Sequence, residues 1–242
     1  MKEKIIMCNG DSFTHEYHLP IEKRWTTLLG VQHNLGVGAG SNDRIFNTTI
    51  EFLNQNFIDI MIIGWTSHNR TFFNYKDGTK IIICNDRAFN DTHGVKSQYP
   101  DIVKFYYQHI FNEYVQFRNT LEYMVHLQNY CELSNIRLIN FLSVPNKEDF
   151  SEESLKKISS HAFMDRSTEQ LIKNGILHNT NILKSLIAKL KPINWVNNSV
   201  FFSMSEHCKD FPTDKIGHPD VEGSEHWFKT IKNYIDTVDN WR

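Results

Sequence analysis

The sequence predicts an α/β fold: a three-layer α/β/α sandwich with helices on both faces of a parallel sheet. Two observations carry this. Five short apolar runs, at residues 4–8, 31–36, 58–63, 136–141 and 200–204, have the length and composition of buried strands. Between and after them lie longer stretches whose apolar residues recur at helical spacing. Strands alternating with helices pair in parallel through crossover connections, which places helices on both faces.

The elements follow in order. The first strand covers residues 4–8 and a helix includes residues 25–29. The second strand, 31–36, runs into the turn Gly36-Val37-Gly38-Ala39-Gly40. Ser41 or Asn42 then caps a helix reaching about Asn54, with Ile45, Thr49, Phe52 and Leu53 near helical spacing. Residues 58–63 form the clearest buried strand, ended by Gly64. Residues 72–98 are polar, aromatic and irregular, a surface excursion with a short hairpin around Asp77-Gly78. A long helix spans residues 100–133 with one break, and 136–141 is the fourth strand. Residues 146–191 are charged and helical in period, with a break at Gly175. Residues 200–204 are the fifth strand, and 224–238 the closing helix with Trp227, Ile231 and Ile235 on one face. No repeat or low-complexity linker interrupts the chain. It reads as a single domain over 1–242 with insertions near 72–98 and 146–191. The expected topology is flavodoxin-like, a five-stranded sheet in order 2-1-3-4-5. Ligands of such sheets bind where strands one and three diverge.

Composition excludes several classes of function. The 242 residues are 40% apolar, enough for a core, and the formal charge of −2 offers no nucleic-acid footprint and no polybasic membrane surface. No apolar run approaches the roughly 20 residues of a membrane span. The N-terminus enters the first strand without the long apolar segment of a signal peptide, so a cytoplasmic location is expected. The four cysteines (Cys8, Cys84, Cys131, Cys208) are far apart and read as reduced, mostly buried thiols. Without a secretion signal, Asn-x-Ser/Thr matches at Asn47 and Asn69 are discounted. The twelve histidines match no zinc spacing, so no metal is expected. The Gly36–Gly40 turn is not a dinucleotide fingerprint, because Ser41 stands where the third glycine would be.

The chemistry concentrates at the two ends of the chain. Met7-Cys8-Asn9-Gly10-Asp11-Ser12-Phe13-Thr14 puts a serine hydroxyl at the carboxyl edge of the sheet. His218-Pro219 lies near the C-terminus with Asp214 four residues upstream. A serine hydroxyl is a weak nucleophile until a base takes its proton, and a carboxylate fixes the tautomer of that base. Each residue also has a plainer reading. Ser12 can be a turn serine, His218 a surface-loop histidine, and Trp65 either a cleft wall or core. Asp11 reads as a structural residue bonding loop backbone.

Four blocks in order resemble the SGNH (GDSL-type) hydrolase superfamily. Gly10-Asp11-Ser12-Phe13-Thr14 is similar to its serine block, and Asn34-Leu35-Gly36-Val37-Gly38-Ala39-Gly40-Ser41-Asn42 to its glycine block. Ile62-Ile63-Gly64-Trp65-Thr66-Ser67 stands at its asparagine block, and Asp214-Lys215-Ile216-Gly217-His218-Pro219-Asp220 at its acid–histidine block. The resemblance implies Ser12 as nucleophile, His218 as base and Asp214 as acid. It implies oxyanion donors at Ser12 and Gly40, with Thr66 at the family's asparagine position. Two departures stand out. Thr66 replaces the asparagine, leaving Thr66, Ser67, Asn69 and Arg70 open as the third donor. The acid stands four residues before the histidine instead of three, with Asp210 and Asp220 as other candidates and a Ser–His dyad as a further option. The Trp-Thr-Ser version of the third block resembles SGNH-like proteins of phages and bacteria. The implied activity is hydrolysis of a carboxylic ester through an acyl-serine, with no cofactor. A small-molecule or carbohydrate ester, first an O-acetyl sugar, is the expected substrate. The rival reading is a binding or virion-structural module that keeps the fold without the catalysis.

Overall fold

The computed structural model describes residues 4–74, 80–84, 87–90, 105–144, 180–215 and 217–239. In chain order its elements are β1 (Ile6–Asn9), α1 (Ser12–His15), α2 (Trp25–Leu28), β2 (His33–Asn34), α3 (Asn42–Leu53), β3 (Ile60–Trp65), β4 (Thr71–Asn74), β5 (Lys80–Cys84), β6 (Arg87–Asn90), α4 (Glu113–Leu133), β7 (Arg137–Leu142), α5 (Thr180–Lys189), α6 (Met204–His207) and α7 (Val221–Asp239). The main sheet has the order β2-β1-β3-β7 and every pairing in it is parallel.

β3 lies inside this sheet and is buried along its whole length. A strand covered on both faces needs no polar side, which is why Ile60-Met61-Ile62-Ile63 is a continuous apolar run. Register sorts its side chains into two cores. Met7, Met61 and Leu138 share a row and join Ile63, Trp65, Phe117, Leu121 and Leu183 on the face covered by α3, α4 and α5. Cys8, Ile62 and Ile139 form the next row and join Phe141, Trp25, Trp227 and Ile231 on the face of α2 and α7. This period of two carries the three-layer sandwich.

The fifth strand is a correction. Residues 200–204 reach the edge of the sheet but do not pair along it. Leu142 donates to the Phe202 carbonyl (2.8 Å), and Leu142 bridges Ser203. The chain cannot run straight here. Asn197, Asn198 and Phe201 have left-handed φ of 56°, 54° and 69°. Ser203 then accepts from the Glu206 N–H (3.4 Å) to cap α6. Among the described residues the main sheet therefore has four strands, and the expected order holds for the first four runs.

Other expectations shift by a few residues. Gly64 does not end β3 but sits inside it, opposite Phe141. The expected hairpin appears as β4 paired antiparallel with β5, Asn74 opposite Lys80, and β6 extends it to three strands. Residues 77–78 and most of the expected 146–191 insertion, Gly175 included, lie outside the described residues. The long helix breaks between a turn of π-helix at Tyr106–Ile110 and α4, where Asn112 accepts from the Val115 N–H (3.0 Å) as N-cap. α7 starts at Val221, earlier than expected, and Asp220 accepts from the Gly223 N–H (3.1 Å) in its first turn. Among the described residues no helix is long and apolar enough to cross a membrane.

Gly64 is where strand packing meets the nucleophile loop. A Cβ there would stand 2.6 Å from Phe141 Cζ and 2.7 Å from Thr14 Oγ1. Gly64→Ala is therefore expected to cost about 1–3 kcal/mol by overpacking. Urea denaturation reads this directly, and an unchanged midpoint would mean that Phe141 and Thr14 can yield.

Candidate active site

The site begins where β1 stops. Asn9, fully buried, fixes that point with its own side chain. Its Nδ2 donates to the Ile45 carbonyl (3.0 Å) and contacts the Thr48 and Thr49 hydroxyls (2.9 Å each), while its Oδ1 accepts from the Gly10 N–H (2.8 Å). Asp11 follows as N-cap of α1, accepting from the Phe13 N–H (3.0 Å). Ser12 is thus the first helical residue, nine-tenths buried at the carboxyl edge of the sheet. The short helix is held from its far side. Trp25 Nε1 donates to the Phe13 carbonyl (2.9 Å), and Glu16, left-handed at φ 49°, accepts from the Trp25 N–H (2.7 Å).

The C-terminal block closes onto this serine. His218 Nε2 lies 2.8 Å from Ser12 Oγ, and His218 Nδ1 lies 2.9 Å from Asp214 Oδ2. Asp214 Oδ1 also accepts from the His218 N–H (3.0 Å). The four-residue spacing is absorbed by a tight hairpin. The Asp214 N–H donates to the His218 carbonyl (2.9 Å) and the Gly217 N–H to the Asp214 carbonyl (3.1 Å). This three-residue loop needs a left-handed residue in its last position, and Gly217 has φ 88°. Sequence reasoning named all three members, and the fold brings them within hydrogen-bond reach across 206 residues of chain. Asp220, one of the other acid candidates, instead bonds backbone in α7.

The oxyanion side departs from expectation. Gly40 does lie against the nucleophile loop, where a Cβ would stand 3.0 Å from the Gly10 carbonyl and 3.4 Å from Asp11 Cα. Its N–H, however, closes a turn onto the Val37 carbonyl (3.2 Å). Both donors of Thr66 have protein acceptors. Its hydroxyl donates to Asp11 Oδ2 (2.8 Å) and its N–H to Asn42 Oδ1 (2.8 Å). The fully buried Asp11 carboxylate needs donors, and the Thr66 hydroxyl is one of them. Ser67 Oγ accepts from the Asn69 N–H (3.3 Å). Arg70 reaches the same loop as Thr66. Its Nη1 lies 2.8 Å from Asp11 Oδ2 and 3.4 Å from the Gly40 carbonyl.

His218 is enclosed by rings. His18 stacks on it at 4.9 Å between centroids, and Phe13 and Tyr17 meet it edge-on at 5.0 and 6.1 Å. His18 Nε2 bonds the Pro219 carbonyl (2.9 Å), which also fixes the backbone beside the base. Sequence reasoning missed His18, and nothing local could have flagged a residue whose partner is 201 positions away. His18, Asp214 and His218 bring ligand atoms within 4.8 Å of one another. The two rings lie only 21° from parallel, so their in-plane lone pairs run side by side instead of converging on one ion. Cys8, Cys131 and Cys208 are buried free thiols. Burial pushes Cys8 well above the ordinary thiol range, and Cys131 and Cys208 up to about 12, so these thiols stay protonated at neutral pH.

No family model and no curated protein matches this chain. Solved structures do. A psychrotrophic esterase, EstA, from Pseudoalteromonas sp. aligns at TM-score 0.50 and 12% identity, over 98% of this chain and 100% of that one. TesA aligns at TM-score 0.52 and 8% identity, over 97% and 99%. A GDSL-like lipase from Bacteroides thetaiotaomicron aligns at TM-score 0.49 and 12% identity, over 97% and 89%. The chain has the SGNH-hydrolase fold. In this SGNH fold the nucleophile loop, the Gly40 turn and the hairpin of the base all meet at the carboxyl end of the sheet.

Behind the serine, Glu16 makes the site sensitive to pH. Burial raises its carboxyl from 4.5 to about 8, while hydrogen bonds from Ser224 and the Trp25 N–H and the nearby Arg24 charge pull the other way. The folded protein therefore keeps a proton that the unfolded chain releases above pH 4.5. This contribution is full below pH 4.5, declines as pH rises, and is gone by about pH 8. Glu16→Gln keeps an acceptor for Trp25 and removes the titration. Its stability relative to the unsubstituted protein should rise from pH 5 to pH 9 by several kcal/mol at most, on the order of 1.4 per unit of pKa difference. Denaturation midpoints across that range check it.

Proposed function

We propose that the protein is a serine esterase that hydrolyses a carboxylic ester through an acyl-serine. One observation carries the reading: Ser12 Oγ, His218 and Asp214 stand in an unbroken hydrogen-bonded line, 2.8 and 2.9 Å per step. The similarity of fold to an esterase supports it.

Each step follows from that line. Ser12 Oγ attacks the ester carbonyl carbon while His218 Nε2 takes its proton. The carbonyl π electrons move to oxygen, and Asp214 stabilises the imidazolium from Nδ1. The tetrahedral intermediate collapses, and His218 passes its proton to the leaving alkoxide. Water then attacks the acyl-serine with His218 again as base, releasing the acid and restoring Ser12. The Ser12 N–H, first in α1, has no acceptor within its helix and faces the developing oxyanion.

An O-acetyl group on a carbohydrate is the first substrate class to test. β4 opens one residue after Arg70, where the aromatic stretch over residues 72–98 begins in the sequence. One observation favours the rival reading of a binding or virion-structural module: the Gly40 N–H is engaged with Val37.

A fluorophosphonate probe separates the two. Labelling is expected in the unsubstituted protein and lost in Ser12→Ala and His218→Ala. Absence of labelling in the folded, unsubstituted protein would overturn the esterase reading and favour the binding module. Asp214→Asn should keep the serine but slow ester turnover by roughly 10²–10⁴-fold, the range in which removing the orienting acid acts.

A further inference from the structure

We propose that Arg70 is the third oxyanion donor, in the place where the family motif has asparagine. The inference rests on the esterase reading and adds a residue to the same site. Its first support is that the donors at the two expected oxyanion positions are engaged elsewhere. The Thr66 hydroxyl and N–H are bound to Asp11 and Asn42, and the Gly40 N–H to Val37.

Its second support is position. Arg70 Nη1 contacts Asp11, the residue before the nucleophile, and the carbonyl of Gly40, the residue expected at the oxyanion. The guanidinium is 14% exposed, so it sits at the cleft and not in bulk water. Its third support is unused capacity. A guanidinium carries five N–H donors in a rigid fork. Asp11 and Gly40 engage Nη1 alone, so the other amino group, Nη2, keeps its donors. An oxygen gaining negative charge beside Ser12 is an acceptor that exists only during reaction, and stabilising it lowers the barrier.

Asp11 could equally need Arg70 only as a counter-charge, and the test must separate the two roles. Asp11→Asn removes the charge that needs neutralising. Arg70→Gln is then compared within that background, where no buried carboxylate is left unpaired. The readouts are the rate constant of fluorophosphonate labelling and, with p-nitrophenyl acetate, kcat and KM separately. Asp11→Asn/Arg70→Gln is expected to label about 10²-fold more slowly than Asp11→Asn, with the loss in kcat and not in KM. Equal labelling rates in the two variants would overturn the assignment and leave Arg70 a counter-charge. If the unsubstituted protein itself is not labelled, the esterase reading falls and this assignment with it. If it is labelled and the two variants match, only the role of Arg70 falls.

Discussion

The Asp11 carboxylate organises this site. It is fully buried between the ends of β1 and β3, where an ionised group survives only if paired and hydrogen-bonded. Three donors satisfy it: the Phe13 N–H (3.0 Å), the Thr66 hydroxyl (2.8 Å) and Arg70 Nη1 (2.8 Å). The first starts α1 and so makes Ser12 the first helical residue. The second ties the end of β3 to the nucleophile loop. The third holds the following loop across the cleft. The position of the nucleophile, the fate of Thr66 and the placement of Arg70 are consequences of one burial problem.

The base is held by a different device. A histidine three residues after its acid and one four residues after it need different backbones. Here the fourth residue is taken up by a hairpin in which Gly217 adopts φ 88°, a conformation that costs most other residues about 1–2 kcal/mol. Asp214 then contacts both the backbone and the ring of His218. The acid therefore fixes the loop as well as the tautomer.

What was legible in the sequence divides along the same line. Local periodicity revealed β1, β3, β7, α3 and α7, because a buried strand or an amphipathic helix writes its environment into neighbouring residues. Ser12, His218 and Asp214 stood out in the sequence because the proposed chemistry requires those residue types. Residues 200–204 have the composition of a strand, but the left-handed turn at Phe201 and the cap at Ser203 stop the ladder after single contacts. The acceptor of Thr66 lies 55 residues away and that of Arg70 59 residues away, so no local pattern distinguishes an oxyanion donor from a ligand of Asp11. His18 was invisible for the same reason.

The two halves of the site are prepared to different degrees. Ser12, His218 and Asp214 stand in one hydrogen-bonded line, and the rings of His18, Phe13 and Tyr17 pack around His218. On the oxyanion side, the Gly40 N–H is bonded within its turn, and Ala39 occupies a left-handed φ of 58° there, a position better suited to glycine. That turn holds strain of about 1–2 kcal/mol, whereas the proton-transfer line is relaxed. Under the proposed esterase reading, with the Gly40 N–H and the Thr66 hydroxyl engaged elsewhere, the demand for charge stabilisation falls on Arg70, whose guanidinium donors point in several directions from one rigid plane while Nη1 neutralises Asp11.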